Sequence, residues 1–211
     1  QQAAPPRPPA TETVAPAIPG VVAAGTKVTI VKDGLRSSEG PIAMPDGSTL
    51  FTEPGASLVH KIDKSGAITT FLENTNRANG LALDSKGRLI AATALTIEVL
   101  YPKGSEKVLA KMPTRPNDLV VDKKDGIWFT LPSDKPSAVY YIAPGGQPVK
   151  MGEAASAHGI QLSPDEKTLY IALQSPLNNP NSTAGNAARN TRILAFELGR
   201  ERVVAEYVYR F

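Results

Sequence analysis

The chain has 211 residues, 41% of them apolar and 6% aromatic, with 23 basic against 20 acidic residues, a net charge of +3 and no cysteine. The missing cysteines exclude disulfides, thiol catalysis and thiolate metal sites. The basic residues are interspersed with acidic ones and do not cluster with aromatics, and no stretch approaches the roughly 18 continuous apolar residues of a membrane helix, so neither nucleic acid nor membrane is expected as a partner.

Residues 1–24 open on Gln1-Gln-Ala-Ala-Pro-Pro-Arg-Pro-Pro-Ala10, without Met and without apolar periodicity. They read as a Pro/Ala-rich extended tether outside the core, with residues 25–211 as the folded domain. The start resembles the end left by signal-peptide removal, which implies a periplasmic or secreted bacterial protein; an arbitrary start is the alternative. Lys27–Val31 is a predicted strand, ended by Asp33-Gly34 and expected to close a ring by pairing with the last repeat.

Four copies of one phrase follow: Glu39-Gly-Pro-Ile-Ala-Met-Pro-Asp-Gly, Asn79-Gly-Leu-Ala-Leu-Asp-Ser-Lys-Gly, Asn117-Asp-Leu-Val-Val-Asp-Lys-Lys-Asp-Gly and His158-Gly-Ile-Gln-Leu-Ser-Pro-Asp-Glu. Each is a polar opening residue, a short apolar strand and a turn, and a second strand follows. The openings lie 40, 38 and 41 residues apart. A period of roughly 40 residues built on hairpins is that of propeller blades, so the predicted fold is an all-β propeller. Third and fourth strands follow in each repeat, as in Ala56–Asp63 and Ala67–Leu72 of the first. His60 falls on a third strand, away from the axis, and reads as a surface or packing residue. Trp128, the only tryptophan, reads as packing between blades. In the fourth repeat an Asn/Gly/Pro/Ser-rich insertion, residues 174–190, predicts a long surface loop that contains the sequon Asn181-Ser-Thr. The last strand, from Arg202 to Val208, completes the fourth repeat.

First strands of propeller blades line the central channel, so equivalent positions converge there. Glu39, Asn79, Asn117 and His158 all carry nitrogen or oxygen donors, which suits a functional ring, although Asn also opens strands through turn chemistry alone. Ser37 and Ser38 lie outside any G-x-S-x-G elbow and read as turn serines, and the two histidines make no triad.

Ser38-Glu-Gly-Pro41, Arg115-Pro-Asn-Asp118 and His158-Gly with Ser163-Pro-Asp-Glu166 resemble the gluconolactonase, senescence-marker-protein and luciferin-regenerating-enzyme superfamily over most of residues 26–211. The resemblance implies a β-propeller of the six-bladed type, with about four blades in this chain, and a metal-dependent hydrolase of lactones or related esters. It implies that Glu39, Asn117 and His158 hold a divalent cation in the channel, usually calcium. Arg115, Asn117 and Asn79 would bind the small-molecule lactone or ester, Arg115 at its anionic or hydroxyl-rich end. His158 stands where the family presents Asn, and imidazole favours zinc, so both metals stay open. The family's later blade supplies an Asp that binds metal and acts as base; this chain is expected to stop short of it, which leaves the catalytic base unassigned. Strong turnover is then expected only with further blades, and a second chain could cover the open sheet edges. The insertion and the strands around it also look like phytase-like esterase propellers. A non-catalytic propeller that binds a ligand or protein is the alternative of a different class.

Overall fold

The computed structural model describes residues 11–134, 136–154, 156–173, 190–199 and 202–210, and among them there is no helix. Two units are present, Gln1–Arg36 and Ser37–Phe211. In the first, β1 (Thr13–Val14) pairs antiparallel with β2 (Lys27–Val28), and Ala15 N–H donates to the Thr26 carbonyl at 2.8 Å. This corrects the expectation for Lys27–Val31. Only its first two residues form a strand, and their partner is Thr13–Val14 because the turn at Gly20 (φ +75°), closed by the Ile18–Val22 bridge, reverses the chain locally.

The second unit holds four four-stranded antiparallel sheets arranged like propeller blades. The first comprises β3 (Glu39–Ala43), β4 (Thr49–Glu53), β5 (Leu58–Ile62) and β6 (Ile68–Leu72). The second comprises β7 (Leu81–Leu83), β8 (Leu89–Ala92), β9 (Thr96–Tyr101) and β10 (Lys107–Lys111). The third runs β11 (Leu119–Val121), β12 (Ile127–Leu131), β13 (Ala138–Ile142) and β14 (Pro148–Glu153). The fourth runs β15 (Ala157–Leu162), β16 (Thr168–Leu173), β17 (Asn190–Glu197) and β18 (Arg202–Arg210). Strands pair in chain order within each blade, and the innermost strands β3, β7, β11 and β15 lie successively against one another. Of the predicted loop, residues 174–189 with the sequon lie outside the described residues, and Asn190 opens β17.

The core lies between the blades because side chains alternate across a strand. Leu89 and Ala91 of β8 pack towards Leu50 and Val59 of the first blade. Their neighbours Ile90 and Ala92 pack towards Leu119, Ile127 and Phe129 of the third. β12 repeats the arrangement: Ile127, Phe129 and Leu131 face the second blade, and Trp128 packs against the cluster containing Ala157, Ile160 and Ile171 of the fourth. A middle strand of this kind is apolar on both faces, and burial of each such Leu, Ile or Phe contributes about 1.5–3 kcal/mol. His60 is a core residue. It is 5% exposed, stacks on Phe51, and its Nε2 lies 2.8 Å from Glu53 Oε2.

The inner hairpins turn on a residue in the left-handed region: Gly47 (φ +80°), Gly87 (+72°), Asp125 (+64°) and Glu166 (+56°). Where the residue is acidic, its carboxylate reaches the blade before it. Asp125 accepts from Ser85 N–H at 2.8 Å and Ser85 Oγ at 2.7 Å, and Glu166 accepts from Lys123 N–H at 2.9 Å. These bonds offset the backbone cost of a non-glycine residue there.

Candidate functional site

At the opposite end each inner strand is entered through a dipeptide: Glu39-Gly40, Asn79-Gly80, Asn117-Asp118 and His158-Gly159. The first two glycines are required by close approach. A Cβ on Gly40 would overlap the Asn79 carbonyl oxygen, and one on Gly80 would overlap the Asp118 carboxylate and lie 2.7 Å from Asp118 Cα. In the outer two of these blades the β-ladder is irregular between Glu39 and Ile42 and between Ala157 and Ile160, which re-aims the opening side chains.

Asp118 stands where the other three blades have glycine, and its carboxylate fills the space that Gly80 and Gly159 leave open. Oδ1 accepts from Leu119 N–H at 2.9 Å, and Oδ2 accepts from Ile160 N–H of the next blade at 3.0 Å. Burial pushes its carboxyl above the ordinary carboxylate range, against the pull of those N–H groups and of His158, and Glu39 adds to the rise. Asp118 therefore positions the inner strand that carries His158. In the sequence Asp118 closes the Arg115-Pro-Asn-Asp118 motif, and the signal of its separate role is its place in a column of glycines.

The opening residues are linked across blades. Asn79 Nδ2 donates to Asn117 Oδ1 at 2.9 Å, and Asn117 Nδ2 donates to the His158 carbonyl at 3.2 Å. Thr52 Oγ1 donates to the Asn79 carbonyl at 2.9 Å, and Thr130 Oγ1 to the His158 carbonyl. Asn79 is buried, at 7% exposed, and Asn117, Glu39 and His158 are half-buried. Arg115, also half-buried, donates from Nη2 to the Arg77 carbonyl at 3.2 Å, while its Nε is buried without a partner among the described residues. Burial pulls the Arg115 guanidinium below its ordinary value, the neighbouring charge of Arg77 adds to this, and Glu39 opposes it. Glu39 thus lies within electrostatic range of both Arg115 and Asp118, and among the described residues its carboxylate forms no hydrogen bond or ion pair. Asn79, Asn117 and His158 meet through amides and a backbone carbonyl; Glu39 and Arg115 join through charge.

In kind, this donor set fits a hard cation: an unpaired carboxylate on Glu39 and an amide oxygen on Asn117 with one lone pair beyond the Asn79 bond. In number it forms part of a shell, since calcium takes about six to eight oxygens and no three His, Asp or Glu side chains gather among the described residues.

Four-stranded blades whose inner strands bring their polar openings to one end define a β-propeller. The chain belongs to the SMP-30/gluconolactonase/LRE-like family, whose profile matches residues 37–179. No curated protein matches it. A gluconolactonase from Xanthomonas campestris superposes with TM-score 0.68 at 22% identity, over 85% of this chain and 64% of that one. A calcium-binding regucalcin from Agrobacterium tumefaciens gives TM-score 0.60 at 16% identity, over 85% and 61%. Virginiamycin B lyase from Staphylococcus aureus gives 0.57 at 17%, over 88% and 60%. At these identities the likeness establishes the fold, and this chain spans less than two thirds of each of the three.

Proposed function

We propose that the mouth formed by Glu39, Asn79, Arg115, Asn117 and His158 binds lactones or related esters for hydrolysis, with a divalent cation as cofactor. The observation that supports this reading is the unpaired Glu39 carboxylate beside Arg115 and the amide chain, in a chain of the gluconolactonase-like family. A half-buried carboxylate favours positive charge beside it, which Arg115 supplies in part and a bound cation would complete. Glu39, Asn117 and His158 would hold it, calcium by the company of its oxygen donors, zinc if the imidazole dominates. When bound, such a cation polarises a lactone carbonyl and acidifies water. Asn79, held by Asn117, presents its amide towards the substrate's hydroxyl groups, and Arg115 takes the oxygen-rich end.

The engagement of both ends of the Asn117 amide within the protein favours a second reading, a propeller that binds its ligand without turning it over. Lactone turnover measured with calcium, with zinc and after chelation separates the two. Turnover lost on chelation and restored by one cation, with KM raised about tenfold in Arg115→Ala, is the result expected. Cation binding without turnover would establish the second reading, and turnover unaffected by chelation would overturn the role of the cation.

A further inference from the structure

Arg115 has a counterpart one blade earlier. Arg77 stands two residues before Asn79, as Arg115 stands two before Asn117, whereas Ser37 and Ser156 hold that place before Glu39 and His158. The repeat therefore brings two guanidinium groups, and only on adjacent blades, to one side of the mouth. Arg77 is delivered there at a backbone cost. Asn74 (φ +56°), Asn76 (+51°) and Arg77 (+58°) all lie in the left-handed region, which is uncommon for Arg. The segment is pinned on both sides. Arg77 N–H donates to Ser57 Oγ of the first blade at 3.1 Å, its carbonyl accepts from Arg115 of the third, and Asn76 Nδ2 donates to Thr93 Oγ1 at 3.2 Å.

Among the described residues the exposed Arg77 side chain has no hydrogen bond or ion pair, and Arg115 Nε is a buried donor without an acceptor. With the Arg115 guanidinium seated on the Arg77 carbonyl at 3.2 Å, both positive side chains issue from one edge of the mouth. Like charges held together on a strained, pinned segment, with donors left over, call for an anion that both can share.

We infer that Arg77 and Arg115 form a two-arginine clamp for a carboxylate or phosphate group on the substrate, so that the lactones or esters bound here carry an anionic substituent besides the reacting ester. This rests on the proposed function for the identity of the site, but not for its test. Glu39 carries one negative charge against the two guanidinium groups, and any cation it holds strengthens the preference.

The full chain is titrated calorimetrically with three sugar acids: gluconate, which has one carboxylate, glucarate, which has two, and 6-phosphogluconate, which adds a phosphate. Arg77→Asn is the test variant because Asn tolerates the left-handed backbone, and Arg77→Lys keeps the charge but not the fork; thermal melts check that both fold. Glucarate or 6-phosphogluconate should bind about tenfold or more tighter than gluconate, and Arg77→Asn should abolish that advantage. Arg77→Lys should fall between. Whichever of glucarate and 6-phosphogluconate gains the larger advantage identifies the substituent. Equal affinities for all three acids, no binding of either glucarate or 6-phosphogluconate, or an advantage that survives Arg77→Asn would overturn the clamp. Failure of the proposed hydrolysis would show separately, as absent lactone turnover by a protein that still distinguishes these acids.

Discussion

At the turn end of the inner hairpins, Asp125 and Glu166 occupy the place held in the first two blades by Gly47 and Gly87; at the mouth end, Asp118 occupies the place held by Gly40, Gly80 and Gly159. All three acids reach into a neighbouring blade. At the turn end they satisfy exposed backbone and hydroxyl groups, their neighbours Asp84 and Asp122 likewise have partners, and the polar groups are closed on one another. At the mouth the acid is sunk between glycines, and around it Glu39, the Arg77 side chain and Arg115 Nε have no hydrogen-bond partner among the described residues. The acids at the turn end have their partners within the protein, whereas Glu39 at the mouth has no hydrogen bond or ion pair among the described residues. The proposed site rests on that difference.

The comparison breaks most readily at glycine. Gly80→Ala should cost more than about 3 kcal/mol or prevent folding, because the new Cβ meets the Asp118 backbone and Leu119 N rather than a flexible side-chain end. Gly87→Ala at the turn end has nothing within 4 Å and carries only the left-handed penalty of about 1–2 kcal/mol. Urea unfolding of the two variants measures the contrast, and equal losses would refute the close approach at the mouth. Asp118→Ala should come next, at about 2–3 kcal/mol, since it strands the Leu119 and Ile160 N–H groups in a partly buried place. Weakened ligand binding should accompany it if Asp118 sets the strand that carries His158.

The smallest effect belongs to Asp125, whose carboxyl the Ser85 N–H and hydroxyl hold below the ordinary range. A carboxyl depressed in the folded state adds stability above its unfolded value of 3.8, and that contribution is lost as pH falls through the lower folded value. Asp125→Asn should therefore melt below the wild type at neutral pH, and the two melting curves should converge as pH drops below 3.8. A gap that stays constant with pH would show that the bond carries no charge-dependent stability.

The repeats, the hairpins and the opening residues were legible in the sequence because period, alternation and turn chemistry are local. Asp118, Asp125 and Glu166 were not singled out, because their meaning lies between blades: each reads as ordinary turn or strand-entry chemistry until its glycine counterparts lie beside it. The Glu53–His60 pair was hidden for a related reason. Register sets His60 opposite Phe51, and only the fold encloses that face. Lys27–Val28 pairs with a nearer partner than the long-range one expected, as a short strand just past the reversal at Gly20 can. Arg77 carried a visible signal, its offset from Asn79, which counts only once Arg115 is seen beside it.

Cation binding tests the central claim most directly. Calcium and zinc are titrated calorimetrically into the wild type, Glu39→Gln at the mouth and Glu166→Gln at the turn end. The account predicts about tenfold or more weaker binding in Glu39→Gln, because the lost carboxylate charge is the main attraction for a hard cation, and unchanged binding in Glu166→Gln. Equal affinity in the wild type and Glu39→Gln, or a loss confined to Glu166→Gln, would contradict it.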